Sequence, residues 1–295
     1  MKKEKLPTYG GQALIEGVMM RGSKYVAAAM RLPNDEIKII AEPLSGVYNS
    51  NIKNIPFLRG VIALWDALGL GMRFLTISAN TQVDDDEKIE GSSLILTVIV
   101  SLSLAIILFF ITPAAIGHWM QSYYSLQAWT SNLYEGLIRL LFIVGYMWGV
   151  GFIPEINRVF AYHGAEHKTI NAFEAGAELN PDTVGSFTLV HPRCGTSFLL
   201  TLIVISMIIF TIIGPLNLFW RIFSRVLLIP FLAGISYEYI RWTAAHINNR
   251  IVKALIYPNL LLQHLTTREP DKKMLEVAIT SLKTILNYEE TVHPL

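Results

Sequence analysis

Three of the seven histidines and the only cysteine of this 295-residue chain fall between positions 163 and 194. They lie in His163-Gly164-Ala165-Glu166-His167-Lys168 and His191-Pro192-Arg193-Cys194-Gly195-Thr196-Ser197. If residues 158–172 are helical, His163 and His167 stand one turn apart on one face and can bind a single ion. Glu166 is then placed beside them as a base that activates water. This is the arrangement that H-x-x-E-H proteases use. Zinc, or another divalent metal, needs at least a third protein ligand, and Cys194, His191 or a distant carboxylate such as Glu238 could supply it. Cys194 is preferred, because it precedes an apolar run whose helical amino terminus would favour a thiolate. Glu174, two turns beyond His167, faces the same way if the helix continues. A structural reading stays open beside this one: an i, i+4 histidine pair can be a hydrogen-bonding pair, His191-Pro192-Arg193 a turn held against lipid headgroups, and a lone cysteine a small buried residue.

The elements that must position these residues are predicted to sit in a membrane. The chain is 52% hydrophobic and 16% charged, against about 25% charged in ordinary soluble domains. Four stretches approach the roughly 20 apolar residues needed to cross a hydrocarbon core: Leu94–Ile116, Leu133–Ile153, Phe198–Phe219 and the shorter Val226–Tyr239. Lysines and arginines cluster before the first stretch, between the second and third, and after the fourth, which predicts that both termini and the loop 154–197 are cytoplasmic. The amino terminus has a basic start without an apolar run behind it and is not expected to be a signal peptide. A single cysteine fits a reducing compartment. A net charge of +1 gives no reason to expect nucleic acid as a partner.

Residues 1–50 read as a small cytoplasmic antiparallel β unit of about three strands. Gly17 is a candidate bulge, Lys24–Arg31 a strand, and Pro33-Asn34-Asp35 a turn. From 55 to 80 the apolar spacing becomes helical, predicting an amphipathic helix on the membrane surface, packed against the β unit, or both. Val83–Lys88 reads as a solvated acidic link. The four-span membrane domain occupies 92–242. The cytoplasmic tail, 243–295, is expected to hold a helix near Ala244–Ile256, breaks at Pro258 and Pro270, and a capped amphipathic helix over Asp271–Leu286. Glu238 is expected to pair with Arg158 or Arg241, and Arg221 and Arg225 read as interfacial anchors.

Five motifs in order along the chain carry a resemblance. These are Gly10-Gly11-Gln12-Ala13-Leu14-Ile15-Glu16-Gly17-Val18-Met19-Met20-Arg21-Gly22, Pro56-Phe57-Leu58-Arg59-Gly60, the two histidine motifs above, and Leu265-Thr266-Thr267-Arg268-Glu269-Pro270. The chain resembles the YqhQ-like family, bacterial membrane proteins of unknown function described as predicted metal-dependent enzymes. The resemblance implies a metal and supplies no reaction. It also draws attention to Glu16, which could reach the loop site if the β unit folds over it.

The reading is therefore a membrane α-helical bundle of about four transmembrane helices with a small antiparallel β unit, an interfacial helix and a helical cytoplasmic tail. It predicts a zinc-dependent hydrolase with His163, His167, Cys194 and His191 as metal ligands and Glu166 as catalytic base. The alternatives are a non-enzymatic membrane factor that docks a partner in protein insertion or envelope biogenesis, and a transporter.

Overall fold

A computed structural model describes residues 9–46, 55–214 and 216–292. The basic start and the ends of the predicted 1–50 unit lie outside the described residues. Among them, four antiparallel strands, β1 (Gly10–Leu14), β2 (Gly17–Arg21), β3 (Tyr25–Arg31) and β4 (Ile37–Pro43), pair in sequence order. One more strand is present than expected, because the chain folds back at Ile15-Glu16, with Glu16 in the left-handed region at φ 51°. Gly17 is thus no bulge. It opens β2 opposite Met30, where a Cβ would meet the Ala29 carbonyl oxygen at 2.6 Å.

The unbroken apolar run in β3 has a physical cause, since both faces of the sheet are covered. Val18, Met20, Ala27 and Ala29 face a core shared with α5 (Pro154–Glu174) and α11 (Lys272–Val292), while Leu14, Met19, Val26, Ala28 and Met30 pack with Phe74 of α1 (Leu58–Asn80). α1 meets the length and composition of a membrane-crossing helix, which the surface-helix reading did not anticipate. Its first turns lie on α9 (Ile229–Ala245), where a Cβ at Gly60 would meet the Gly234 Cα at 2.8 Å. Its later turns are taken by the sheet through Asp66 to Arg21 and Ser78 to the Ile15 amide.

The other helices long and apolar enough to cross a membrane are Gly91–Tyr123, α4 (Ala128–Val150) and α7 (Gly195–Ile213). The first is continuous through α2 (Gly91–Ile106), a π-turn at Ile107–Ile111 and α3 (Thr112–Tyr123). The π-turn precedes Pro113, whose missing amide disturbs the hydrogen-bond ladder. The short fourth span takes the form of a bent pair, α8 (Leu218–Leu227) and α9, with a 48° angle between them. A short helix, α6 (Pro181–Gly185), caps the loop after α5.

The expected break at Pro258 does not occur: α10 (Arg250–Thr266) continues through it. Proline removes one helical hydrogen bond. Here Val252 and Ile256 before it and Asn259, Leu262 and Gln263 after it are all buried, so tertiary packing holds both halves on one line. Pro270 does mark the gap before α11, which runs to Val292, beyond the expected Leu286.

Candidate metal centre

Pro154 sits in the first turn of α5, where its fixed φ suits helix initiation. The helix then runs unbroken through the histidine motif, so His163 and His167 do share a face, with ring centroids 4.3 Å apart. Cys194 caps α7, its Sγ accepting the Thr196 amide at 3.3 Å, at a helix end where negative charge is favoured. One ligand atom from each of His163, His167 and Cys194 fits within a set no more than 4.8 Å across.

The histidine orientations are fixed from behind. His163 Nδ1 lies 2.8 Å from the Thr266 carbonyl oxygen, and His167 Nδ1 lies 2.6 Å from that of Leu189. A carbonyl only accepts, so each Nδ1 carries a proton, and in the neutral ring Nε2 is the nitrogen left to bind a metal. This is the outer-sphere pattern that orients metal-binding imidazoles. Cys194 Sγ is 3.2 Å from His163 Nε2. Two imidazole nitrogens and a thiolate form a donor set suited to zinc, with one position left for a further ligand.

The other predicted site residues lie beside this set, His191 with its ring centroid 5.9 Å from that of His167. His191 is buried, but its Nε2 lies 3.5 Å from Glu174 Oε2. Burial holds the His191 pKa below the usual imidazole value. Burial alone would raise the Glu174 pKa, but His191 and Arg193 more than reverse this and bring it to about 2. Glu174 therefore serves this pair rather than the three-donor set. Glu166 is buried against β1, where the Gly11 backbone hydrogen-bonds it and a Cβ on Gly11 would meet its Cδ at 2.9 Å. Burial pushes its pKa up to about 7, with the His163 charge and the Gly11 hydrogen bond opposing. Its Oε2 has no hydrogen-bond partner among the described residues.

Three expectations about more distant groups are corrected. Glu238 is no ligand and pairs with neither expected arginine. It takes Arg59 of α1, with Nε 2.6 Å from Oε1. Arg158 instead binds Glu16 at 2.6 Å, and Tyr162 adds a hydrogen bond at 3.1 Å. The sheet thus folds over α5, but the residue it brings to the site helix is Gly11, while Glu16 ties the hairpin to α5 one turn before His163. Arg221 and Arg225 are 2% and 1% exposed and turn into the bundle, so they are not surface anchors.

Sequence reasoning missed the support from α10. Gln263 clamps the His191 backbone, accepting from its amide at 2.8 Å and donating to its carbonyl at 2.9 Å, and also donates to Ser197 Oγ. The Arg268 amide donates to the Phe160 carbonyl, and a Cβ at Gly164 would collide with the Arg268 carbonyl oxygen. Gly164 is therefore what lets the 266–268 segment approach closely enough for Thr266 to reach His163. The only available signal was the Leu265–Pro270 motif itself. A groove of about 430 Å³ between α1 and α2, lined by Met72, Thr76, Ile77 and Leu94, shares no residue with the centre.

Comparison with known proteins places this architecture among relatives. Residues 55–288 match the family model described as Protein of unknown function (DUF1385). The chain is 34% identical over 305 aligned positions to Uncharacterized protein YqhQ of Bacillus subtilis (strain 168), covering 98% of this chain and 96% of that protein. No solved structure matches.

Proposed function

Because the chain belongs to the DUF1385 family of proteins of unknown function, its chemistry has to be argued from its own residues, and we propose a multi-pass membrane protein that holds a divalent metal, zinc by donor chemistry, at its cytoplasmic face. The observation that carries the metal is the convergence of His163, His167 and Cys194 with both Nδ1 atoms tied to backbone carbonyls. The distribution of lysine and arginine supports a cytoplasmic site with both termini on that side.

The reaction class is hydrolysis. Zinc held by His163, His167 and Cys194 would supply a Lewis acid that lowers the pKa of water for attack. His163 and His167 orient through Thr266 and Leu189, Cys194 contributes negative charge, and Glu166 is the group positioned to hold a proton, through its unpartnered Oε2. His191 completes the site's outer wall through Gln263 and Glu174 rather than as a direct ligand.

Metal analysis of the purified protein tests this. One zinc per chain is expected in the parent and none in a His163→Ala/His167→Ala double variant. Glu166→Gln should keep the metal and abolish turnover of a hydrolysable substrate. A parent that binds no metal at micromolar zinc would overturn the proposal.

A second reading, a non-enzymatic factor that docks a membrane-protein partner, is favoured by the Gln263 clamp and the Thr266 contact, which would staple the loop to α10 without a metal. Under that reading the double variant stays functional in cells and a stoichiometric partner co-purifies.

A further inference from the structure

α8 is amphipathic in the reverse sense of a water-facing helix. Phe219, Phe223 and Leu227 are exposed while Arg221 and Arg225 are buried. Both guanidiniums converge on Glu135 of α4, with Arg221 Nε 2.9 Å from Oε2 and Arg225 Nε 2.8 Å from Oε1, and Arg139 Nη2 reaches Oε1 at 2.8 Å. All four side chains are 1–3% exposed. Every ion pair of these arginines within 4 Å, among the described residues, goes to this single carboxylate. The remaining donors meet neutral acceptors, namely the Phe109 carbonyl, Ser206 Oγ, Asn132 Oδ1, Ser131 Oγ, Ser224 Oγ and Gln121 Oε1. The Arg225 and Arg139 guanidiniums also lie over the Phe210 and Phe110 rings, Arg225 at 4.1 Å from the Phe210 centroid, and neither ring adds a negative charge.

Three cations on one anion leave a surplus of two positive charges in a buried, apolar setting. Buried charges are retained when something pairs them, and hydrogen bonds to neutral oxygens solvate a guanidinium without cancelling its charge. The group whose charge and shape match the surplus is phosphate or a phosphodiester, which the planar guanidinium fork binds in a bidentate manner. The cluster has a defined edge. Arg221 Nη1 donates to Gln121 at 2.9 Å in a partly buried position, flanked by exposed Trp119, Tyr123 and Trp220, the aromatic types that favour a membrane–water interface. Ser206 and Phe210, which line the cluster, follow Cys194 along α7 by 12 and 16 residues, roughly 18–24 Å at the helical rise. The cluster is thus a different place from the metal centre.

We propose that Arg139, Arg221 and Arg225 around Glu135 form a receptor for a phosphate-class anion, admitted at the Arg221–Gln121 edge. The proposal is independent of the metal reading and rests on the membrane reading only for the possibility that the phosphate belongs to a lipid headgroup. Gln121 is the neutral occupant the anion displaces.

The test uses the full-length protein purified in a neutral detergent. One arm adds inorganic phosphate against chloride at matched ionic strength; the other offers phosphatidylglycerol against phosphatidylcholine in nanodiscs, read by native mass spectrometry and thermal shift. The parent should prefer phosphate, phosphatidylglycerol or both by about tenfold, the scale of one or two charge-assisted hydrogen bonds. Preference in the lipid arm alone assigns a headgroup, and in the phosphate arm alone a free anion. Gln121→Glu, which removes no arginine, should abolish the preference by placing a carboxylate at the edge, and Arg221→Gln should weaken it. Circular dichroism and the unfolding temperature without added anion are read on each variant as controls for folding. A parent with no preference in either arm, or a folded Gln121→Glu protein that keeps the parent's preference, overturns the proposal.

Discussion

α11 and α8 are both amphipathic helices, and they are amphipathic in opposite directions. α11 buries Met274, Leu275, Val277, Ala278, Leu282 and Ile285 against the sheet and α5, and exposes Lys272 and Lys273. α8 buries two arginines and exposes phenylalanines. The same inversion extends to whole regions: the sheet, α5 and α11 enclose an apolar core, whereas α2 buries none of its residues and α4 keeps Glu135 and Arg139 inside. A helix turns its apolar side toward whichever surroundings tolerate it, and α8 would be poorly placed in water. The contrast is what supports two different solvents for the two halves. It also places the candidate metal centre at their junction, since His163 and His167 come from α5 of the conventional half and Cys194 caps α7 of the inverted one.

The comparison can be broken most severely at Glu135. Glu135→Ala leaves three guanidiniums buried without a counter-charge and should cost about 3–5 kcal/mol, read as a large fall in melting temperature in detergent with lost protection of α4 and α8 to hydrogen exchange. In the conventional half the corresponding insult is a cavity. Leu282→Ala, at a fully buried position, should cost about 2–5 kcal/mol, with exchange protection lost first in the sheet and α11. If both variants lost protection uniformly across the chain, the two halves would be one cooperative unit and the contrast would have no energetic meaning.

The smallest effect is electrostatic and belongs to the hairpin. The Arg158 hydrogen bond, against the opposing cost of burial, holds the Glu16 pKa below its usual 4.5. A lowered folded pKa stabilises above the ordinary carboxylate pKa, and that contribution fades as pH falls from about 4.5 toward the depressed value. Arg158 is half exposed, so solvent screening keeps the contribution under about 1 kcal/mol. Glu16→Gln should therefore flatten the stability profile between pH 5 and 3 relative to the parent, and a parallel profile would show that the pair contributes nothing.

Much of this molecule was legible in local pattern. The long apolar segments announced α2–α3, α4 and α7, and the i, i+4 spacing of His163 and His167 announced a shared face, because both depend only on helix geometry. The errors share a cause. The reversal before Gly17 has no sequence signal, because β1 opens on two exposed glycines and β2 is buried throughout but for Arg21, so the alternation that would reveal the turn is missing. Pro258 reads as a break because helix propensity carries no information about packing on both sides. The partner of Glu238 is not legible because ion pairs across helices have no sequence period, and the same holds for Arg221 and Arg225, whose spacing is equally that of surface anchors.

By itself, then, the sequence determined the types of the elements, three of the four apolar helices long enough to cross a membrane, and the two histidines on one helical face, all consequences of interactions within a few residues. Only the tertiary structure decided that Cys194 joins those histidines while His191 and Glu174 pair apart from them, that Thr266 and Leu189 set the two imidazoles, and that three arginines share Glu135. Apart from the i,i+4 pair of Arg139 with Glu135, those outcomes depend on where residues 17 to 103 positions apart come to lie, and chain connectivity carries no local record of that.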